Sequence, residues 1–132
     1  MDREEFINKV KGKIESEHIH HKCKEDITEN YKDCRKAIYF LYDKNDVVIY
    51  VGMVGSGYNT SFYHRMYGHG SGAHKEKEWF KEVKKFRVKS FPNLEDEELK
   101  KIERLMIYAK NQPIYNDVII SQGDFETISS KI

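Results

Sequence analysis

The chain has 132 residues, of which 39% are hydrophobic and 34% are charged, and its formal net charge is +1 at neutral pH. This length and balance are typical of one folded domain, and they exclude a disordered chain or a strongly basic, non-specific nucleic-acid coat. No apolar run approaches the roughly 20 residues that span a bilayer, and the acidic start at Met1–Glu5 is not typical of a secretory leader, so we expect a cytoplasmic protein without a membrane segment.

The first part of the chain predicts helices. Phe6, Val10 and Ile14 recur every four residues, which predicts one apolar helical stripe. Asp26 is a typical N-cap for a second short helix that would end near Tyr31. Residues 1–34 are too few to bury a core of their own, so we interpret them as an N-terminal helical extension of the main domain.

Two apolar runs around a polar turn predict a β-hairpin. Residues 36–43 are apolar and aromatic, and they end at the turn Lys44–Asp46. A β-branched run over residues 47–54 follows, and Gly55-Ser56-Gly57 ends it. We expect these two strands to pair as neighbours in an antiparallel sheet.

The hairpin places Tyr39 and Tyr50 in adjacent strands, near one end of the sheet. Two strand tyrosines taken alone usually pack in the core or at its rim. Gly52, just after Tyr50, favours a functional interpretation, because a glycine allows a ligand or another backbone to approach closely.

A helix is predicted from Ser61 to about Tyr67, and it carries Arg65. His69 would lie on the same helical face if the helix continues, because it follows Arg65 by four residues. Arginine presents a planar fork of donors to phosphate oxygens, and histidine transfers protons near neutral pH. The alternative is a solvated arginine followed by a histidine at the end of the helix.

The second half of the chain predicts a short helix over 76–85, a strand over 86–91 and a long helix over 94–110. Glu103 lies in the long helix beside its apolar face, where a charged group is rare unless it is paired or binds a metal. It could hold one Mg²⁺, with waters and a phosphate completing the shell; the alternative is an ion pair with a surface lysine. Asn116 falls in a turn after Pro113.

The order of these elements predicts an α+β fold in which helices flank a central three-stranded antiparallel sheet. We assign residues 35–120 to this domain and residues 121–132 to a polar C-terminal tail.

Over about residues 36–117 this pattern resembles the GIY-YIG nuclease family. The matching positions, in chain order, are Ala37-Ile38-Tyr39 for GIY, Tyr50-Val51-Gly52 for YIG, then Arg65, His69, Glu103 and the pair Pro113 and Asn116. A single such match occurs by chance, but the full set in order is a specific signal.

The resemblance implies a metal-dependent DNA endonuclease that hydrolyses phosphodiester bonds. Tyr39 would act as a general base or orient the attacking water, and Tyr50 would position the phosphate or relay the proton. Arg65 would stabilise the charge of the transition state, and His69 would assist proton transfer. Glu103 would hold one Mg²⁺ or Mn²⁺. Members often carry a polar or basic residue directly after YIG, whereas this chain has a methionine there.

Other residues would support the site or contact the substrate. The glycine-rich stretch over 68–77 predicts a flexible loop, from which His74 and Lys75 could contact the DNA backbone. Gly52 and Asn116 would act as structural support. Because no added DNA-reading domain is visible in the sequence, specificity could come from the N-terminal extension, from the glycine-rich loop, from a homodimer or from a partner protein. The alternative function is a module on the same fold that binds nucleic acid or protein without cutting.

Overall fold

The computed structural model describes residues 3–21, 31–57, 61–71, 75–111 and 125–132, and it describes the side chains of these residues except 67–71, 75–77 and 125–126. The elements, in chain order, are α1 (Arg3–Glu15), β1 (His20–His21), β2 (Ala37–Tyr42), β3 (Val48–Val54), α2 (Phe62–Ser71), α3 (Lys75–Phe80), β4 (Lys85–Ser90), α4 (Asp96–Ala109) and α5 (Phe125–Ser129). The predicted α+β class is confirmed.

The described strands form one antiparallel sheet in the order β1-β4-β2-β3. The predicted hairpin is β2 and β3, and β4 pairs with the other side of β2. The prediction of three strands was wrong, because β1 adds a fourth in which His20 pairs with Phe86 and His21 with Lys85. A two-residue strand made of histidines is too short to show the alternation that identifies strands in a sequence.

The sheet is covered on both faces, and β2 is its most buried strand. Ile38 and Phe40 point into a core formed with α1, α4 and α5, whereas Tyr39 and Leu41 point into a second core under α2 and α3. Since successive side chains of a strand point to opposite faces, a strand between two helical layers is apolar at every position. The unbroken apolar sequence of β2 has this cause.

The two terminal helices belong to the main core. The predicted stripe of α1 is confirmed, because Phe6, Val10 and Ile14 are all fully buried. The segment expected as a polar tail contains α5, whose Ile128 is only 1% exposed in the same core as α1 and α4. Lys131 also pairs with Glu98 of α4 at 2.9 Å.

The stretch expected as a flexible loop, residues 68–77, is largely helical. α2 continues through Gly68 and Gly70 to Ser71, and α3 begins at Lys75. A glycine costs a helix only about 1 kcal/mol relative to alanine, and the buried Phe62 and Met66 anchor α2 to the sheet. The expected helix at 26–31 and the extended piece at 114–120 fall, apart from Tyr31, outside the described residues. Within the described ranges, no helix has the length and apolar character needed to cross a membrane.

Candidate active site

The site is centred on Tyr39, which is fully buried on β2. Its Cα pairs across the hairpin with Gly52, and its ring lies over that glycine. A Cβ at position 52 would overlap Cζ and the hydroxyl oxygen of Tyr39 and would lie 2.8 Å from its Cε2. Gly52 is therefore required because the ring of Tyr39 occupies the space in which a larger residue would place its Cβ.

Tyr50 lies on the same face of the sheet, between Tyr39 and α3. Its ring centroid is 6.2 Å from that of Tyr39 and 4.9 Å from that of Trp79, with nearly parallel planes in both pairs. Phe62 of α2 closes the other side of the Tyr39 ring at 5.2 Å. Aromatic packing on both sides fixes the direction in which the Tyr39 hydroxyl points.

Arg65 reaches the Tyr39 hydroxyl from α2. Phe62 and Met66 bind this helix to the sheet, while Arg65 lies on its exposed side and donates a hydrogen bond to the Tyr39 oxygen. Burial raises the pKa of Tyr39 well above its usual range; the neighbouring Tyr50 acts in the same direction, and Arg65 opposes it. Tyr39 is therefore a neutral phenol at physiological pH.

Glu103 joins the cluster from α4, on the other side of the hairpin. Its carboxylate accepts a hydrogen bond from the backbone N–H of Met53 in β3. Burial raises the pKa of Glu103, and the nearby positive charge of Arg65 is the largest opposing effect. Arg65 and Glu103 line a common cleft of about 310 Å³, together with Met53, Gly55 and Lys100.

The sequence analysis did not identify Lys100, which lines the same cleft as Glu103 and interacts electrostatically with it. The two residues are three apart on α4, so they share a helical face, and the positive charge of Lys100 favours the ionised form of Glu103. The three-residue spacing of Lys100 and Glu103 is visible in the sequence. It indicates a shared site only once the structure shows that α2 and β3 form the other walls of the cleft.

A polar connection between the β3–α2 loop and the start of α4 was also missed. The Asp96 carboxylate accepts hydrogen bonds from the backbone N–H of Ser56 at 3.1 Å and from its hydroxyl at 3.1 Å. A Cβ on Gly55 would lie 3.0 Å from that carboxylate. The loop that leads to Arg65 and the helix that carries Glu103 are thereby held together.

The donor set of the cleft fits a single divalent cation of the Mg²⁺ type. Among the residues that the structure describes, no three His, Cys, Asp or Glu side chains converge, and Glu103 is the carboxylate that lines the cleft. Mg²⁺ is commonly bound by one or two carboxylates while waters and substrate phosphates complete its shell. An open cleft with one carboxylate leaves room for such a shell.

The structure thus brings together Tyr39, Tyr50, Arg65 and Glu103, which are far apart in sequence. His69 lies on α2 and Lys75 on α3, but neither side chain is among those described. His74 and Asn116 lie outside the described residues.

Comparison of the chain with protein-family models, with curated proteins and with solved structures finds no match. The function is therefore inferred from the fold and from the side chains around the cleft.

Proposed function

We propose that the protein is a metal-dependent DNA endonuclease of the GIY-YIG type. The observation that carries the proposal is that Arg65 and Glu103 line one open cleft while Arg65 also donates a hydrogen bond to the buried Tyr39 hydroxyl behind it. A hydroxyl that orients water, a cation that stabilises developing charge and a carboxylate that holds a metal together suit in-line hydrolysis of a phosphodiester with a single metal ion.

The environment of Tyr39 argues against a general base, and orientation of the attacking water is the role that remains in the proposal. A neutral phenol cannot accept the proton of water, and burial keeps Tyr39 neutral. The phenol oxygen accepts the hydrogen bond from Arg65 through a lone pair, so that bond does not use the O–H of Tyr39.

Arg65 would stabilise the negative charge that develops on the phosphorane. A guanidinium offers several N–H donors in one plane, so the bond to Tyr39 leaves others for phosphate oxygens. Preorganised donors of this kind typically contribute a factor of about 10²–10³ in rate.

Glu103 would hold Mg²⁺ or Mn²⁺ in its ionised form, and its hydrogen bond to Met53 fixes the orientation of the carboxylate. The bound ion would polarise the scissile phosphate and ease departure of the 3′-oxygen. His69 is retained in the proposal as a proton-transfer residue, on the basis of its position in the sequence alone.

The direct test is incubation of supercoiled plasmid with purified protein in Mg²⁺, in Mn²⁺ and in EDTA. We expect relaxed or linear plasmid with either metal and none in EDTA, with activity returning when Mg²⁺ is added in excess. Absence of cutting by folded protein in both metals would contradict the endonuclease. DNA binding in that case would support the non-cutting module.

Lys100 should contribute to DNA binding, because this basic residue lines the cleft together with Arg65. We expect Lys100→Ala to weaken binding of a short duplex in EDTA by about tenfold, and to reduce the slope of log affinity against log salt by about one. Lys101→Ala is the matched control, since Lys101 is exposed on the same helix and does not line the cleft. Equal effects of the two substitutions would show that Lys100 has no special contact.

A further inference from the structure

A second cavity lies where the C-terminal ends of α1 and α4 meet the β2–β3 turn. Its volume is about 520 Å³, and its walls include Lys11 and Lys110 from these helix ends and Val47 from the turn. Lys110 follows Lys100 by ten residues, which corresponds to about 15 Å along a helix. The cavity is therefore separate from the cleft that contains Glu103.

The charges that line this cavity are predominantly positive. Four basic residues and two acidic ones contribute to its walls: Lys11, Lys85, Arg87, Lys110, Glu15 and Asp46. Lys85 pairs with Asp46, and Lys110 approaches Glu15 at 3.6 Å. This leaves Lys11 and Arg87 without a carboxylate partner in the part of the chain that the structure describes.

Arg87 is fixed in place although it has no ion pair. Its Nε donates to the backbone carbonyl of Glu17 at 3.1 Å, and one terminal nitrogen donates to the Tyr42 hydroxyl at 2.8 Å. Two hydrogen bonds to neutral oxygens orient the guanidinium and leave its charge uncompensated. A planar, oriented guanidinium is the preferred protein partner of a phosphate group.

Lys110 lies close to the positive charges of Lys11 and Arg87. Its side chain is only 18% exposed. Burial lowers the pKa of Lys110, Glu15 opposes this effect, and the positive charges of Lys11 and Arg87 lower the pKa further. Basic residues at helix C-termini are stabilised by the helix dipole, which accounts in part for Lys110 but not for Lys11, because Lys11 lies before the last turn of α1. It does not account for Arg87, which lies in β4.

We propose that this cavity binds a phosphate group through Lys11, Arg87 and Lys110. Its volume lies within the range of about 300–1,000 Å³ that is usual for small-molecule sites. The phosphate belongs either to a small phosphorylated molecule or to the backbone of a nucleic acid. Both sources present the same anionic oxygens to the same three cations, and the proposal is independent of the endonuclease reaction.

Thermal unfolding in inorganic phosphate, compared with chloride at the same ionic strength, tests the proposal. At a phosphate concentration tenfold above its Kd we expect the Tm of the wild-type protein to rise by about 5 °C. Lys11→Gln should lose at least half of this rise, and it should not disturb the fold, because Lys11 has no hydrogen-bond or ion-pair partner among the described residues. Lys13→Gln, on the same helix but outside the cavity, should keep the full rise.

The Lys13→Gln control also corrects for a non-specific effect. Phosphate stabilises many proteins because it is excluded from their surface, and that stabilisation would be equal in both variants.

A second experiment measures affinity for a short DNA duplex in EDTA. If free phosphate gives no shift, but Lys11→Gln lowers duplex affinity several-fold and Lys13→Gln does not, the phosphate is that of a nucleic acid. If Lys11→Gln and Lys13→Gln behave alike in both experiments, the proposal is wrong.

Discussion

Glu103→Gln is expected to abolish metal-dependent cleavage while leaving the domain at least as stable as the wild-type protein. The amide has nearly the shape of the carboxylate and can still accept the hydrogen bond from Met53, but it lacks the charge that binds the metal. Loss of a metal-binding carboxylate should reduce plasmid cleavage by a factor of about 10² or more.

The stability of this variant follows from the raised pKa of Glu103. In the folded protein Glu103 retains its proton to a higher pH than in the unfolded chain, so the stability of the wild-type protein falls as pH rises from the ordinary carboxyl pKa through the folded one. Glutamine does not titrate. The free energy of unfolding of Glu103→Gln, relative to wild type, should therefore increase between about pH 5 and pH 8.

The measurement combines plasmid cleavage with urea unfolding at the two pH values. Glu97→Gln is the control, because Glu97 is exposed on the same helix and does not line the cleft. It should change neither cleavage nor the pH dependence of unfolding. Full cleavage by Glu103→Gln would contradict the assignment of the metal ligand, and a loss of stability that grows with pH would contradict the argument from burial.

Gly52→Ala is expected to destabilise the domain more than an exposed substitution would. The added Cβ overlaps the ring of Tyr39, which is fully buried between Phe62 and Tyr50 and has no space into which to move. Overpacking of a core typically costs about 1–3 kcal/mol, and we expect the upper part of that range, measured by urea unfolding. Cleavage should fall as well, because the Tyr39 hydroxyl would be displaced from Arg65.

Two further variants test whether the clash with the Tyr39 ring causes the loss of stability in Gly52→Ala. Gly12→Ala adds the same methyl group on α1, where no atom lies within 4 Å, so it should stabilise the protein by about 0.5–1 kcal/mol through helix propensity. In a Tyr39→Leu background, which removes the ring that Gly52 faces, the cost of Gly52→Ala should fall by at least half. An unchanged cost in that background would place the clash elsewhere.

The sequence predicted the main elements because their signals are local. The hairpin is two apolar runs around a polar turn, and α4 has an apolar face that is long enough to be read directly. β1 and α5 were missed because their positions depend on distant partners: β1 forms only against β4, and α5 is held by Ile128 in a core that α1 and α4 build. Neither segment has a sufficient signal of its own.

Some residues of the candidate site could be identified from the sequence, and others only from the structure. Tyr39, Tyr50, Arg65 and Glu103 were named from their order in the chain, and the fold brings them together. Gly52 was expected to admit a ligand or another backbone, or to support the site structurally, and in the structure the ring of Tyr39 lies in the space above it. Lys100 became recognisable only when three separate elements had defined the cleft around it.

The position of Glu103 also has a consequence for self-association. β3 is the last strand of the described sheet, and an exposed strand edge offers its backbone N–H and C=O groups to any other extended chain. The Glu103 carboxylate occupies the N–H of Met53 on that strand and places a negative charge beside it. At the opposite edge β1 is only two residues long and offers little backbone for pairing. The carboxylate proposed to hold the metal would thus also limit pairing of the β3 edge with another extended chain.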